Sequence, residues 1–287
     1  MAKRKYRILV SNDDGIGSPG IKALSEALKK VGDVTVVAPE REQSTMGHAL
    51  TLHKPVRLFE MGSEPGLKRY ALSGTPADCV YMGIRHILKE RPDLIVSGIN
   101  KGVNLGNDLY FSGTVAAARE GAVMNIPAMA CSLDYRFDPG QEAQNHFTEP
   151  AEYCAHLAKE ILKNGLPDHN LLNVNFPAIA ISKIKGAKVT RQGVLNYSDK
   201  IIERKDFRGK PYFWLGGKLM GYSKLEGSDT AIVNQGYISI TPVRLDLTEY
   251  EFMEKLRTWE INPASMNKVQ KSTKKKTTKK LSSKKSK

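Results

Sequence analysis

Asp13 and Asp14 stand side by side at the end of the apolar run Tyr6–Ser11, and no other pair in this chain is better placed to do chemistry. Two ionised carboxylates at the end of a buried strand repel each other. A divalent cation removes that penalty, and oxygen donors suit Mg²⁺, Mn²⁺ or Ca²⁺. Asp-Asp-Gly also serves as a helix cap followed by a turn, so the pair alone leaves both readings open. Ser44, in the segment EREQS, and Asn100, in SGIN, bring neutral oxygens from two further segments. Singly, each suits a turn or a cap. The arrival of all three segments at one edge favours the cation.

A second cluster points to an anion. Ser112-Gly113-Thr114 open an Ala-rich helical stretch, whose first N–H groups and positive dipole end suit a phosphate. Ser112 also fits a plain N-cap. Gly106 and Gly113 bracket a loop in which backbone can approach an anion closely, and Asn104 and Asn107 add donors there. His48, near Ser44, is within reach of a substrate, but no histidine is assigned as a base. Other chemistries fit poorly. The chain has no Gly-x-x-x-x-Gly-Lys-Ser/Thr and no Gly-x-Ser-x-Gly. GIGSPG (15–20) matches the dinucleotide spacing, but Asp13 and Asp14 just before it would repel a pyrophosphate. Asn12 stands where a phosphatase forming an aspartyl-phosphate would need its nucleophilic Asp.

These residues need a frame. Tyr6–Ser11, 33–38, 92–97 and 126–131 read as buried strands, and 19–31, 75–89 and 112–124 as helices. Thr75 is the expected N-cap of the second helix, with Pro76 at its first position. Residues 50–60 and 68–72 read as an extra pair of strands. Continuous apolar strands separated by helices imply parallel pairing through right-handed crossovers. The expected fold class is α/β, a doubly wound, Rossmann-like, mostly parallel sheet with a β-rich C-terminal extension. Ligands bind such sheets beyond the carboxyl ends of the strands, where all three acid- and amide-bearing segments fall. Further along, 134–149 reads as a polar loop, 151–163 as a helix and 171–176 as a strand. Residues 183–245 read as β-rich, with a hairpin over 200–217, and 246–260 as a closing helix. Tyr212, Phe213 and Trp214 read as core or a subunit contact.

At 287 residues the chain suits one large domain with an extension. The expected boundaries are a catalytic core over 1–135, a remainder with an oligomerisation extension over 136–267, and a disordered tail over 268–287. The net charge of +14 suggests a nucleic-acid binder until it is located. Ten lysines and no acid lie in 268–287, which leaves +4 for the rest. That tail suits a solubilising role or weak non-specific contact with nucleic acid. Three scattered cysteines argue against disulfides and structural zinc. The apolar run after MAKRKYR is too short for a signal peptide, and none approaches the roughly 18 residues of a membrane span. The expected location is cytoplasmic, with no membrane insertion.

ILVSNDDGIGSPGI (8–21), VVAPEREQSTMGHALTL (36–52), TPADCV (75–80) and VSGINKGVNLGNDLYFSGTVAAAREG (96–121) closely resemble the SurE family of survival-protein nucleotidases. VNFP (174–177) and ISITPV (238–243) continue the likeness more weakly. The resemblance implies a Rossmann-like core, homodimers or homotetramers, and hydrolysis of nucleoside 5′- and 3′-monophosphates, in some members also of polyphosphate. It implies one divalent ion, Mg²⁺ or Mn²⁺, held by Asp13, Asp14, Ser44 and Asn100. Asp13, Asp14 and Asn100 are then catalytic, and Asn12, Ser44, Asn104, Ser112, Gly113 and Thr114 contact substrate. Gln43 stands where Arg is also familiar in the family. Rival readings are a broader small-metabolite phosphatase on the same site, or a non-enzymatic nucleic-acid binder acting through the tail.

Overall fold

The computed structural model describes residues 4–134, 145–198, 200–216, 219–222 and 225–262. The expected tail and most of the expected polar loop therefore lie outside the described residues. The chain divides into two units, residues 1–245 and 246–287.

In the first unit, strands alternate with helices through the first half of the chain. In order these are β1 (Tyr6–Ser11), α1 (Pro19–Leu28), β2 (Gly32–Pro39), β3 (Leu58–Glu64), β4 (Leu67–Leu72), α2 (Pro76–Met82), β5 (Leu94–Lys101), α3 (Gly113–Val123) and β6 (Ala128–Leu133). Then follow α4 (Asn145–Asn164), β7 (Asn170–Phe176), β8 (Ala187–Val189), β9 (Leu195–Tyr197), β10 (Ile202–Lys205), β11 (Pro211–Trp214), β12 (Leu219–Tyr222), α5 (Asp229–Asn234) and β13 (Ile238–Arg244). Nine strands form one sheet in the order β3-β4-β2-β1-β5-β6-β7-β13-β8. Pairing is parallel except between β3 and β4 and between β7 and β13. β10 pairs with β11, and β9 with β12, as two small antiparallel sheets. The α/β, mostly parallel architecture is the expected one.

Alternation along each strand sends residues to opposite faces. Ile8, Val10, Val34, Val36, Leu94 and Val96 pack under α1 and α4, against Ile21, Leu24, Leu28, Phe147 and Cys154. Leu9, Val37, Ile95 and Ala130 pack on the other face, against Cys79, Val80, Val115 and Ala118 of α2 and α3. Covering both faces explains why these strands are apolar throughout rather than alternating. The strand order reverses beside β1, with β2 on one side and β5 on the other. The carboxyl ends of β1 and β5 are therefore the switch point where such sheets bind ligands.

Several boundaries differ from expectation, each for a local reason. The strand expected from Leu50 starts only at Leu58. Upstream, the Thr51 N–H and hydroxyl both donate to the Asp78 carboxylate, at 2.9 and 2.6 Å, which ties that stretch to the start of α2. Thr75 caps α2 in a reciprocal box with Asp78. The helix ends at Met82 and continues as a π-type turn over Gly83–Ile87. A Cβ on Gly83 would lie 2.8 Å from a Leu9 methyl, so this segment presses close to β1. α4 begins at Asn145, ahead of the expected 151, with Pro150 inside it. Buried Phe147 anchors that first turn.

The expected hairpin forms from β10 and β11, its turn tied by Arg208 and Lys210 N–H groups donating to Asp206. Tyr212, Phe213 and Trp214 are 40%, 55% and 61% exposed, so they are not core within this chain.

Among its described residues the second unit holds one helix, α6 (Tyr250–Leu256), capped by the Glu249 carboxylate. It is shorter than the expected 246–260. Phe252 and Trp259 meet edge to face, with ring centroids 5.9 Å apart.

Candidate active site

β1 delivers Asp13 and Asp14 to the switch point, and a tight turn holds them there. Gly15 takes φ +94°, and Ile16 N–H donates to Pro39 O at 2.8 Å. Asn12 is wholly buried. Its amide nitrogen donates to Gly15 O and Ser18 Oγ, so Asn12 braces the turn.

Asp13 is only 5% exposed and lies at the mouth of α3. Its carboxylate accepts from the Thr114 hydroxyl and backbone N–H. Burial still pushes its pKa up, against the pull of those donors. A Cβ on Gly113 would sit 2.7 Å from Asp13 Cβ, so only glycine lets the helix approach this closely. Asp14 is more accessible. Its Oδ2 accepts from Lys101 N–H at 3.1 Å. Its carboxyl is pushed up to about 6, first by burial and then by the charge of Asp13.

The second segment is pinned to the first by Gln43 N–H donating to Asp13 O at 2.8 Å. Ser44 is the next residue after this anchor. The Ser44 hydroxyl donates to Glu42 at 2.6 Å, and its lone pairs remain free to ligate. The charge of Glu42 adds to the repulsion felt by both aspartates.

The third segment arrives through an irregularity in β5. The register with β6 shifts between Ser97 and Asn100, across Gly98 at φ +128°. A Cβ on Gly98 would lie 2.3 Å from Cys131 O, so the bend needs glycine. Asn100 follows, its amide nitrogen donating to Gly102 O at 2.8 Å, which leaves Oδ1 for a further partner. Lys101, the next residue, is the one bonded to Asp14.

The structure thus brings Asp13, Asp14, Ser44 and Asn100 to one edge through bonds made by these residues or their immediate neighbours. The other expected contacts fare differently. Thr114 is fully buried, with its hydroxyl and N–H taken up by Asp13. Ser112 caps α3 by accepting from Val115 N–H, and its own hydroxyl hydrogen stays available. Asn104 is buried in an amide network: its Nδ2 donates to Ser132 Oγ at 2.8 Å, its backbone N–H donates to Asn175 Oδ1, and its carbonyl accepts from Asn173 and Asn175. These bonds fix the shape of the loop. Sequence reasoning missed Asn173 and Asn175. Two asparagines at period two inside the buried run LLNVNF were the available signal. His48 Nε2 lies 2.7 Å from Glu120, tying the second segment to α3.

The residues at this edge suit a hard cation. Ser11 Oγ, Asn12 Oδ1 and Ser97 Oγ are buried there without a hydrogen-bond partner among the described residues. The two carboxylates are desolvated and held in mutual repulsion. No three His, Cys, Asp or Glu side chains converge among the described residues, and a cation at this edge would draw on neutral oxygens such as Ser44 Oγ and Asn100 Oδ1 beside the two carboxylates.

A doubly wound sheet with a desolvated acid pair and a helix N-terminus at its switch point defines an α/β protein with an edge suited to a cation and a phosphate group. Comparison with known proteins makes the assignment specific. Residues 8–199 match the family described as survival protein SurE. The 5′-nucleotidase SurE of Pelobacter propionicus is 49% identical over 252 residues, covering 88% of this chain and 98% of that one. The 5′-nucleotidase SurE of Caldanaerobacter subterraneus is 44% identical over 259 residues, covering 90% and 99%. The crystal structure of the SurE protein from Aquifex aeolicus superposes with a TM-score of 0.75 at 42% identity, covering 88% and 98%. The chain belongs to the SurE family.

Proposed function

We propose that this chain is a 5′-nucleotidase, dependent on a divalent cation, that releases phosphate from nucleoside monophosphates at the carboxyl edge of β1 and β5. The observation that carries the reading is the desolvated Asp13–Asp14 pair at the switch point, in a SurE-family chain whose relatives bear that activity in their names. Asp13, Asp14, Ser44 and Asn100 would hold Mg²⁺ or Mn²⁺, which when bound would draw charge from a phosphoryl oxygen and lower the pKa of a water.

The chain's own residues do the rest. Thr114 fixes Asp13 in orientation. Asp14, the more accessible acid, orients and deprotonates the attacking water. The Ser112 hydroxyl, at the mouth of α3, donates to a phosphoryl oxygen. Phosphoryl transfer needs mostly such positioning and charge neutralisation. The exposed Tyr212, Phe213 and Trp214 favour a homo-oligomer in which a second copy covers the hairpin. Among the described residues no helix is long and apolar enough to cross a membrane.

The test is phosphate release from AMP, polyphosphate and an aryl phosphate, by full-length protein with Mn²⁺ and after chelation. AMP should be turned over best, EDTA should abolish turnover, and added Mn²⁺ should restore it. Undiminished hydrolysis after exhaustive chelation, or no release from AMP with any divalent ion, would reject the proposal.

Acidity provides a second check. The Asp14 carboxyl is raised to about 6, so in metal-free protein its ionisation weakens the fold. That contribution is fully favourable below the ordinary carboxylate range and is lost as pH rises through about 6. A cation prefers the ionised pair. The Tm gain from a fixed, subsaturating Mn²⁺ concentration should therefore be larger near about pH 7.5 than near about pH 5. Equal gains would detach Asp14 from the cation.

A further inference from the structure

The loop from Asn100 to α3 forms one wall of the site, and beyond the Asn104 network its second half depends on other partners. It contains Gly102 and Gly106, both at positive φ, and a single short 3₁₀ turn over Gly106–Tyr110. What holds it comes from far along the chain.

Asp229, the first residue of α5, is fully buried. Its carboxylate accepts three backbone N–H groups: Gly106 at 2.9 Å, Gly193 at 2.8 Å and Thr230 at 2.7 Å. The Gly106 donor is 123 residues away in sequence. The other side of the same loop residue is also held, because Gln192 Nε2 donates to Gly106 O at 2.9 Å. At the next loop residue, Leu195 N–H donates to Asn107 Oδ1 at 2.8 Å. The fit is close: a Cβ on Gly106 would meet Gly193 O at 2.9 Å, and one on Gly193 would meet Asp229 Oδ1 at 2.8 Å. Asp229 N–H in turn donates to Arg191 O at 2.9 Å, which joins α5 to the segment 191–195.

A buried carboxylate costs far more than a buried amide unless it has work that needs its charge. Here the charge draws three amides from three separate segments onto two oxygens, and charge-assisted bonds are roughly twice as strong as neutral ones. None of this reaches Asp13 or Asp14 directly. The clamp acts on the stretch that begins with Asn100 and ends at Ser112, the two ends that the proposed reaction uses.

We infer that Asp229 is a positioning residue for phosphate-ester hydrolysis: with Gln192, it clamps the peptide groups of Gly106 and so sets the placement of Asn100 and Ser112 around the phosphoryl group. The inference rests on the nucleotidase reading. It adds a residue group, Asp229 and Gln192, from the β-rich half of the chain to a site otherwise built from the first half.

The test uses full-length protein carrying Asp229→Asn, with Gln192→Ala as a milder second variant. Asn keeps the shape and one acceptor oxygen, but loses the charge and the second acceptor. Two readouts are taken. Amide hydrogen exchange without substrate should show faster exchange at Gly106 and its neighbours in both variants. AMP kinetics should show kcat/KM lower by about 10- to 100-fold in Asp229→Asn, as expected for a small misplacement of a positioned group, and by a smaller factor in Gln192→Ala. A Tm gain on adding Mn²⁺ should persist, because Asp13 and Asp14 are untouched, but be smaller than the wild type's, because the placement of Asn100 is loosened. A purely structural residue would lower Tm and leave kinetics of the folded fraction unchanged. Wild-type kcat and KM in a folded Asp229→Asn would therefore overturn the inference. So would wild-type kinetics in Gln192→Ala if Asp229→Asn fails to fold. Loosened exchange with unchanged AMP turnover would overturn the positioning role and leave the nucleotidase reading standing. Absence of AMP turnover in the wild type would fall on that reading instead.

Discussion

Asp13→Asn should abolish measurable phosphate release from AMP while leaving the protein folded and, without metal, at least as thermostable as the wild type. Asn matches Asp in shape, and its Oδ1 can still accept from the Thr114 hydroxyl that now holds Asp13. What disappears is one of two charges. Burial has already raised the Asp13 pKa, so at neutral pH its ionised form weighs against the metal-free fold. Removing it relieves that burden and part of the repulsion on Asp14. The charge is nevertheless what a divalent cation requires, and cation stabilisation of phosphoryl charge is worth several kcal/mol, or about 10³-fold in rate. The variant should also lose the Tm gain that Mn²⁺ gives the wild type. Two measurements check this: thermal unfolding with and without Mn²⁺, and phosphate release under saturating AMP. A variant that keeps wild-type turnover removes Asp13 from the mechanism.

Gly113→Ala should be nearly as damaging, for a steric reason. The added Cβ would lie 2.7 Å from Asp13 Cβ, 2.9 Å from its Oδ2 and 3.1 Å from its Cγ. These are not the ends of a flexible chain that can swing aside, because Asp13 is held between Thr114 and the main chain that binds Gln43. Either the start of α3 withdraws or Asp13 is displaced. Overpacking of this kind costs about 1–3 kcal/mol of stability. A displacement near 1 Å at a reacting centre costs about 100-fold in rate. The combination distinguishes the cause: kcat should fall far more than the loss of folded protein explains. A Gly113→Ala enzyme with a lowered Tm and unchanged kcat would show that the helix yields and Asp13 does not.

The central sheet was legible because burial on both faces leaves a plain trace, uninterrupted apolar runs between helical stretches. The acid pair was legible for a related reason: charge placed at the end of such a run has few structural excuses. Caps were readable where the capping residue is adjacent, as with Thr75 and Ser112. What escaped depends on partners distant in sequence. Thr51 looks like strand until Asp78 claims its N–H and hydroxyl. Thr114 resembles a phosphate donor until Asp13, a hundred residues earlier, takes both its donors. Asp229 sits in Gly-Ser-Asp-Thr, which reads locally as the start of a short helix, and nothing nearby announces Gly106. Asn12 and Asn104 lay in the right segments. Their side-chain amides also brace the turn and the loop, through Gly15 O and Ser132 Oγ, partners that spacing along the chain does not announce.

The most direct measurement is anomalous diffraction from crystals grown with Mn²⁺. One strong peak per chain should appear, with carboxylate oxygens of Asp13 and Asp14, the Ser44 hydroxyl and Asn100 Oδ1 all within about 2.0–2.6 Å of it. A peak elsewhere in the molecule, or one that leaves out either aspartate, would contradict the proposal that these segments share a single ion.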